Sequence, residues 1–104
     1  TALTTVFNVP QADVSASPHV PVSTFVVNSL YVHNYHASDS ITVTITHNDG
    51  SADFEVDEVD VSATDTTTRQ DVKVFEAGDA LKVTANAANK AMVTVSLLEI
   101  QQQQ

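Results

Sequence analysis

The sequence predicts an all-β fold, an antiparallel β-sandwich of jelly-roll or immunoglobulin-like type with an extended amino-terminal arm. Three observations carry this. Runs rich in β-branched and aromatic residues, such as Phe25 to Tyr35 and Ile41 to His47, recur at short, regular spacing. Polar turn sequences, including Asn48-Asp49-Gly50 and Gly78-Asp79, lie between them. No segment requires a helix, so the apolar runs are strands of one small domain.

Three regions follow from a pass along the chain. Residues 1–22 form the arm: Leu3 to Val9 reads as a short strand, and Pro10, Pro18 and Pro21 then punctuate a stretch that can pair only at an edge. Leu3, Val6, Phe7 and Val9 have no core of their own within that segment, so they are expected to bury against a neighbouring subunit. Residues 23–100 form the sandwich, with strands expected at Phe25 to Tyr35, Ile41 to His47, Ala52 to Val56 and Asp71 to Phe75, before a closing pair. Gln101 to Gln104 is a polar tail without an apolar anchor, expected to fray.

Alternation along Phe25 to Tyr35 gives two faces, and neither is plainly polar. Leu30 and Val32 are placed inward because aliphatic residues fill a core without needing partners. Tyr31, His33 and Tyr35 then point outward, where amphipathic aromatics suit a subunit or capsid contact. The reverse register, with the tyrosines at the core edge, stays open.

Phe75 to Ile100 reads as two strands and two turns. Gly78 supplies the positive φ of a tight turn, Ala80 to Thr84 runs extended, Asn86-Ala87-Ala88-Asn89 suits a hairpin connection, and Met92 to Ile100 alternates. A closing hairpin is expected. An apolar residue followed by Glu76-Ala77-Gly78-Asp79, a strand, an Ala/Asn-rich turn and a terminal strand ending Leu98-Glu99-Ile100 resembles the carboxyl end of small β-sandwich virion proteins of tailed bacteriophages. The earlier strand Val26 to Asn34, then Ile41 to Thr46 and the turn at Asn48-Asp49-Gly50, fit the same scheme. The resemblance covers roughly residues 23 to 100, and its group includes capsid decoration, neck and tail proteins. The chain departs from the scheme at Val59 to Asp71, where a glycine-bearing turn is expected and the polar run Ser62 to Gln70 stands instead.

Composition bounds the function. At 104 residues the chain is one domain, and a domain of this size buries only about 65% of its unfolded surface, so a partner subunit would add stability. The absence of cysteine removes disulfide scaffolds, thiol catalysis and thiolate-ligated zinc. No apolar run approaches a membrane span and no signal peptide is recognisable at the start, where Thr1 is compatible with removal of an initiator Met. The protein is therefore expected to be soluble as made, with no membrane partner.

The formal net charge is −9, and residues 1–68 contain no Lys or Arg. Such a field repels a phosphate backbone, so nucleic acid is not an expected partner. Solubility at high concentration is the simpler role for this acidity.

Neither metal nor catalytic chemistry is expected. His33 and His36 lie near one end of a presumed hairpin and His47 at the far end of its partner strand, while His19 sits in the proline-containing arm. Asp53, Glu55 and Asp57 share a strand face at about 7 Å spacing, too far apart to chelate an ion without loop ligands. No Gly-x-Ser-x-Gly elbow, glycine-rich phosphate loop or His-Glu-x-x-His occurs, so no cofactor and no enzyme is expected.

The resemblance implies a phage virion structural protein, foremost a cement or decoration protein on the capsid surface. It would be made in the host cytoplasm, assemble as a homo-oligomer, a trimer being the expectation, and contact the major capsid protein or other virion proteins. A neck, tail or fibre-attachment protein is the alternative within the particle. A carbohydrate- or host-receptor-binding β-module is the alternative outside that class.

Overall fold

In a computed structural model of the chain, residues 3–11, 15, 22–87 and 90–102 are described. His19, Pro18, Pro21, Asn89 and the last two glutamines, all invoked above, lie outside the described residues. Eight strands occur among the described residues: β1 Thr4–Asn8, β2 Val22–Asn34, β3 Ile41–Asn48, β4 Asp53–Val61, β5 Thr66–Arg69, β6 Lys73–Phe75, β7 Ala80–Ala85 and β8 Ala91–Gln102. No helix occurs among the described residues, and every pairing is antiparallel.

The strands form two sheets. The first has the order β1-β7-β3-β4. The second is built on β2, whose whole length pairs with β8 along one edge. β5 pairs with Leu30 to His33 and β6 with Phe25 to Val27, so these two short strands must share the opposite edge of β2. One apolar cluster joins the sheets, with Val27, Leu30, Val32 and Phe75 from the second facing Ile41, Val43, Ile45, Val59, Val61 and Leu81 from the first. The arrangement is that of a sandwich.

A bulge explains why β2 has no polar face. Val27 is opposite Leu97 and Ser29 opposite Ser96, so Asn28 is an extra residue that shifts the alternation by one. Ser23 and Val27 point inward before it, and Leu30, Val32 and Asn34 after it. Without the bulge, half of these residues would lie on the solvent side. Asn34 is one of three buried polar residues among the described ones, with Ser23 and Thr46, and its side-chain amide makes three hydrogen bonds. Its amide nitrogen donates to the carbonyls of Asp39 at 2.7 Å and Val61 at 3.2 Å, and its Oδ1 accepts from the His36 N–H at 2.9 Å.

Several expectations require correction. The closing hairpin does not form: β7 pairs with β1 and β3 in the first sheet, while β8 crosses to the second and pairs with β2. Strand length accounts for this, because the 12 residues of β8 can satisfy nearly all 13 of β2, whereas β7 offers six. β3 likewise pairs with β4 and β7 rather than with the preceding strand. Part of the polar run Ser62 to Gln70 is a strand, β5, and the expected glycine turn is made by Thr64 with a φ of 61°. β4 extends to Val61, and the bulge at Val56 turns Val59 and Val61 into the core.

The amino-terminal segment also differs from the arm expected of it. Thr4–Asn8 is an edge strand of this chain's own first sheet. Phe7 lies with ring centroids 5.2 Å from Phe25 and 5.1 Å from Phe75, both in the second sheet, and Val9 is buried. The apolar residues of the segment have a core after all, because β7 provides an edge for them to pair with.

Both glycines serve the same end of the sandwich. Gly50 and Gly78 have φ of 97° and 88°, values that L side chains rarely adopt, and a Cβ on Gly50 would sit 3.4 Å from the Gly78 carbonyl oxygen. The Gly78 N–H donates to the Val9 carbonyl at 3.0 Å, and the Val9 N–H to the Asp79 carbonyl at 2.8 Å. The Glu76-Ala77-Gly78-Asp79 turn thus fixes where the chain leaves β1.

Candidate functional site

The solvent face of the second sheet is the candidate site. Antiparallel partners share a face, so the register gives its rows. Val74, Val26 and Leu98 form one row across β6, β2 and β8, and Thr24 and Ile100 the next. Val74, Leu98 and Ile100 are about half exposed. Further along, Thr68, Tyr31 and Thr94 form a third row, and Thr66, His33 and Met92 a fourth. The face is apolar at one end and aromatic and hydroxyl-bearing at the other.

Tyr31 is exposed, and His33 is half-buried with its Nδ1 2.8 Å from Thr66 Oγ1. Tyr35 is exposed just beyond β2, where its N–H donates to the Lys90 carbonyl at 2.8 Å. Leu3, Val6, Phe7 and Val9 do not join them: they belong to the β1 edge of the other sheet, and of the four only Leu3 is exposed. Val26, Val74, Met92, Leu98 and Ile100 were missed as surface residues. The signal was in β8, where Met92, Leu98 and Ile100 occupy the face opposite Val93, Val95 and Leu97, making the strand apolar on both sides.

Charge is segregated away from this face. None of the residues in its four rows is an Asp, Glu, Lys or Arg. The acids gather instead on β4 and the turn before it, where Asp49, Asp53, Asp57 and Asp60 hydrogen-bond to neighbouring groups. Asp49 is held below the usual carboxylate range by the Ala52 and Ser51 N–H groups, which donate to its Oδ1 at 2.8 and 2.9 Å. Asp53 is lowered by the Asn48 side-chain amide at 2.7 Å, with Lys82 adding to it. Burial raises Asp57, but its hydrogen bond from Arg69 Nε at 2.7 Å and the Glu58 N–H outweigh that and leave it lowered. Asp39 is lowered by Lys90 at 2.8 Å.

No family model, curated protein or solved structure matches this chain.

Among the described residues no three His, Asp or Glu side chains converge as metal ligands. His33 and His47 stand in different sheets. His47 is committed to structure, its Nε2 2.9 Å from Asp79 Oδ2 and its ring stacked on Phe75 at 4.1 Å between centroids. A shallow groove of about 360 Å³ lies beside the apolar end of the face, lined by Val22, Ser23, Thr24, Glu76, Ala77 and Ile100. What the site offers is an uncharged, mixed apolar and aromatic surface on a rigid sheet, suited to protein contact.

Proposed function

We propose that this protein is a structural component of a tailed-phage virion, a cement or decoration protein that binds the capsid surface through protein–protein contacts. The observation that carries the reading is the solvent face of the second sheet, where Val74, Leu98 and Ile100 are exposed together on a chain whose charge lies elsewhere. A surface of that kind is costly to leave in water and gains when a partner covers it. The resemblance of residues 23–100 to small phage β-sandwich proteins supplies the setting.

The function is mechanical. A thin-cored sandwich presents a flat apolar face to a capsid subunit, and the covered area holds both together. Catalysis, cofactors and nucleic acid have no part in it. The test is the molar ratio of this protein to the major capsid protein in purified virions. Hundreds of copies per particle are expected, whereas a dozen or fewer would place it at the neck or tail and overturn the decoration reading.

A further inference from the structure

The two sheets have four edges, and three of them are built to refuse another strand. β1 has five residues and a bulge at Val6, between the Thr5–Lys82 and Phe7–Leu81 pairs. β4 carries Asp53, Glu55, Asp57, Glu58 and Asp60 and is bulged at Val56. The β5 and β6 edge is made of strands of four and three residues, interrupted at residues 70–72 and flanked by Arg69 and Lys73. Short length, bulges and charge are the devices by which sheets avoid unwanted pairing.

β8 has none of them. It runs 12 residues with no proline, glycine or basic residue, Glu99 is its single charge, and the extra residue in its pairing with β2 sits on β2. Its other edge pairs with no strand among the described residues. The side chains on its inner face are also incompletely covered. Val27 is 1% exposed and Val32 0%, but Leu97, opposite Val27, is 37% exposed, and Val93 and Val95 are only partly buried. The core is open at this edge.

We infer that β8 is a self-association edge: a second copy of this chain adds its own β8 antiparallel across a two-fold axis, joining the two second sheets into one. A second copy matches this edge: it brings the same 12-residue strand with no second partner among the described residues, and antiparallel about a two-fold axis the two edges complement each other group for group. Copies of a chain with a net charge of −9 repel over most of their surface, and β8 is the long edge where they can meet with one carboxylate each. Antiparallel pairing about any residue but Glu99 sets that carboxylate opposite an uncharged partner. Each copy contributes one such edge, so the product is a closed pair rather than the trimer or an open fibre. The shared edge would extend about 40 Å. It would cover the exposed side of Leu97 and bring Met92, Leu98 and Ile100 of both copies onto one continuous outer face. This inference rests on the edge and not on a virion location.

Sedimentation equilibrium of the full chain tests it, with Thr94→Lys/Ser96→Lys as the edge-blocking variant. A dimer is expected for the parent, and the variant should raise the dissociation constant on the order of tenfold, from like charges set near one another across the axis. A parent that is monomeric, trimeric or open-ended overturns the inference, as does a variant that remains equally dimeric. The chain has no cysteine, so single cysteines placed in turn at Thr94, Val95, Ser96 and Leu97 give a second readout that does not depend on the lysine variant folding. Intermolecular disulfide formation should peak at one position near the axis and exceed that of a Glu58→Cys control on β4. Uniform or absent crosslinking along β8 overturns the inference.

Discussion

His47 and Asp79 join strand β3 to a turn far along the chain: His47 Nε2 is 2.9 Å from Asp79 Oδ2, and the same carboxylate oxygen accepts the Glu76 N–H at 2.9 Å. Because the imidazole also stacks on the fully buried Phe75, the pair locks β3 to the turn that precedes β7. Asp79→Ala should cost about 1–3 kcal/mol in urea unfolding, since it strands two partners. Asp79→Asn, which keeps an acceptor, should cost less. Equal losses would mean that the carboxylate charge rather than its hydrogen bonding holds the turn.

Asn34 should be the least replaceable polar residue of the core. It is 0% exposed and its substitution by Leu would leave the Val61 carbonyl and the His36 N–H without their partner. A loss of roughly 1–3 kcal/mol is expected from denaturant titration, with circular dichroism retaining the β signature. A neutral result would show that water replaces the amide at that end of the sandwich.

Thr64 is a β-branched residue at a φ of 61° in the turn closed by the Asp65 N–H to Ser62 carbonyl bond of 3.1 Å. A glycine relieves the Cβ crowding there and gives back part of the gain as chain entropy, so Thr64→Gly should stabilise by about 0.5–1 kcal/mol. Destabilisation would show that the threonine contributes more through its contacts than its backbone costs.

Acid should unfold the protein through its paired carboxylates. Asp39, Asp49, Asp53 and Asp57 are all held below the usual 3.8. A carboxyl with a depressed folded pKa stabilises above its unfolded value, and that contribution is lost as pH falls through the folded one. The urea midpoint should stay flat down to about pH 5 and fall below about pH 4. Arg69→Ala should lower the midpoint at neutral pH and make the acid fall shallower, because Asp57 then no longer has a depressed pKa to give up.

Deleting residues 1–9 should damage the fold itself. The deletion removes β1, Phe7 from its contacts with Phe25 and Phe75, and the buried Val9. A drop in stability of several kcal/mol is expected from the lost apolar burial. Unchanged stability would mean that this strand serves a neighbour instead.

Strand positions were legible in the sequence where β-branched runs are bounded by turns, as at Ile41 to His47, and the partners of those strands were not. β7 and β8 are neighbours in sequence and belong to different sheets because pairing follows strand length and inner-face volume, which one strand does not encode. The Asn28 bulge hid the inner face of β2, since alternation counted through an extra residue puts Val27 and Leu30 on opposite sides. Thr66 to Arg69 read as loop because threonines serve turns and edge strands alike. Of the site, alternation left both registers of β2 open and the exposed tyrosines followed only from placing the aliphatic Leu30 and Val32 inward, whereas the row Val74, Val26 and Leu98 exists only once three distant strands are aligned.

The solvent face of the second sheet as the binding surface is tested most directly by adding purified protein back to particles that lack it and measuring occupancy. Val74→Asp/Leu98→Asp replaces two exposed side chains, so the variant should stay folded by circular dichroism yet bind at least tenfold more weakly than the parent. A folded variant that fills the particles at parental concentration would contradict the account and move the attachment to another surface.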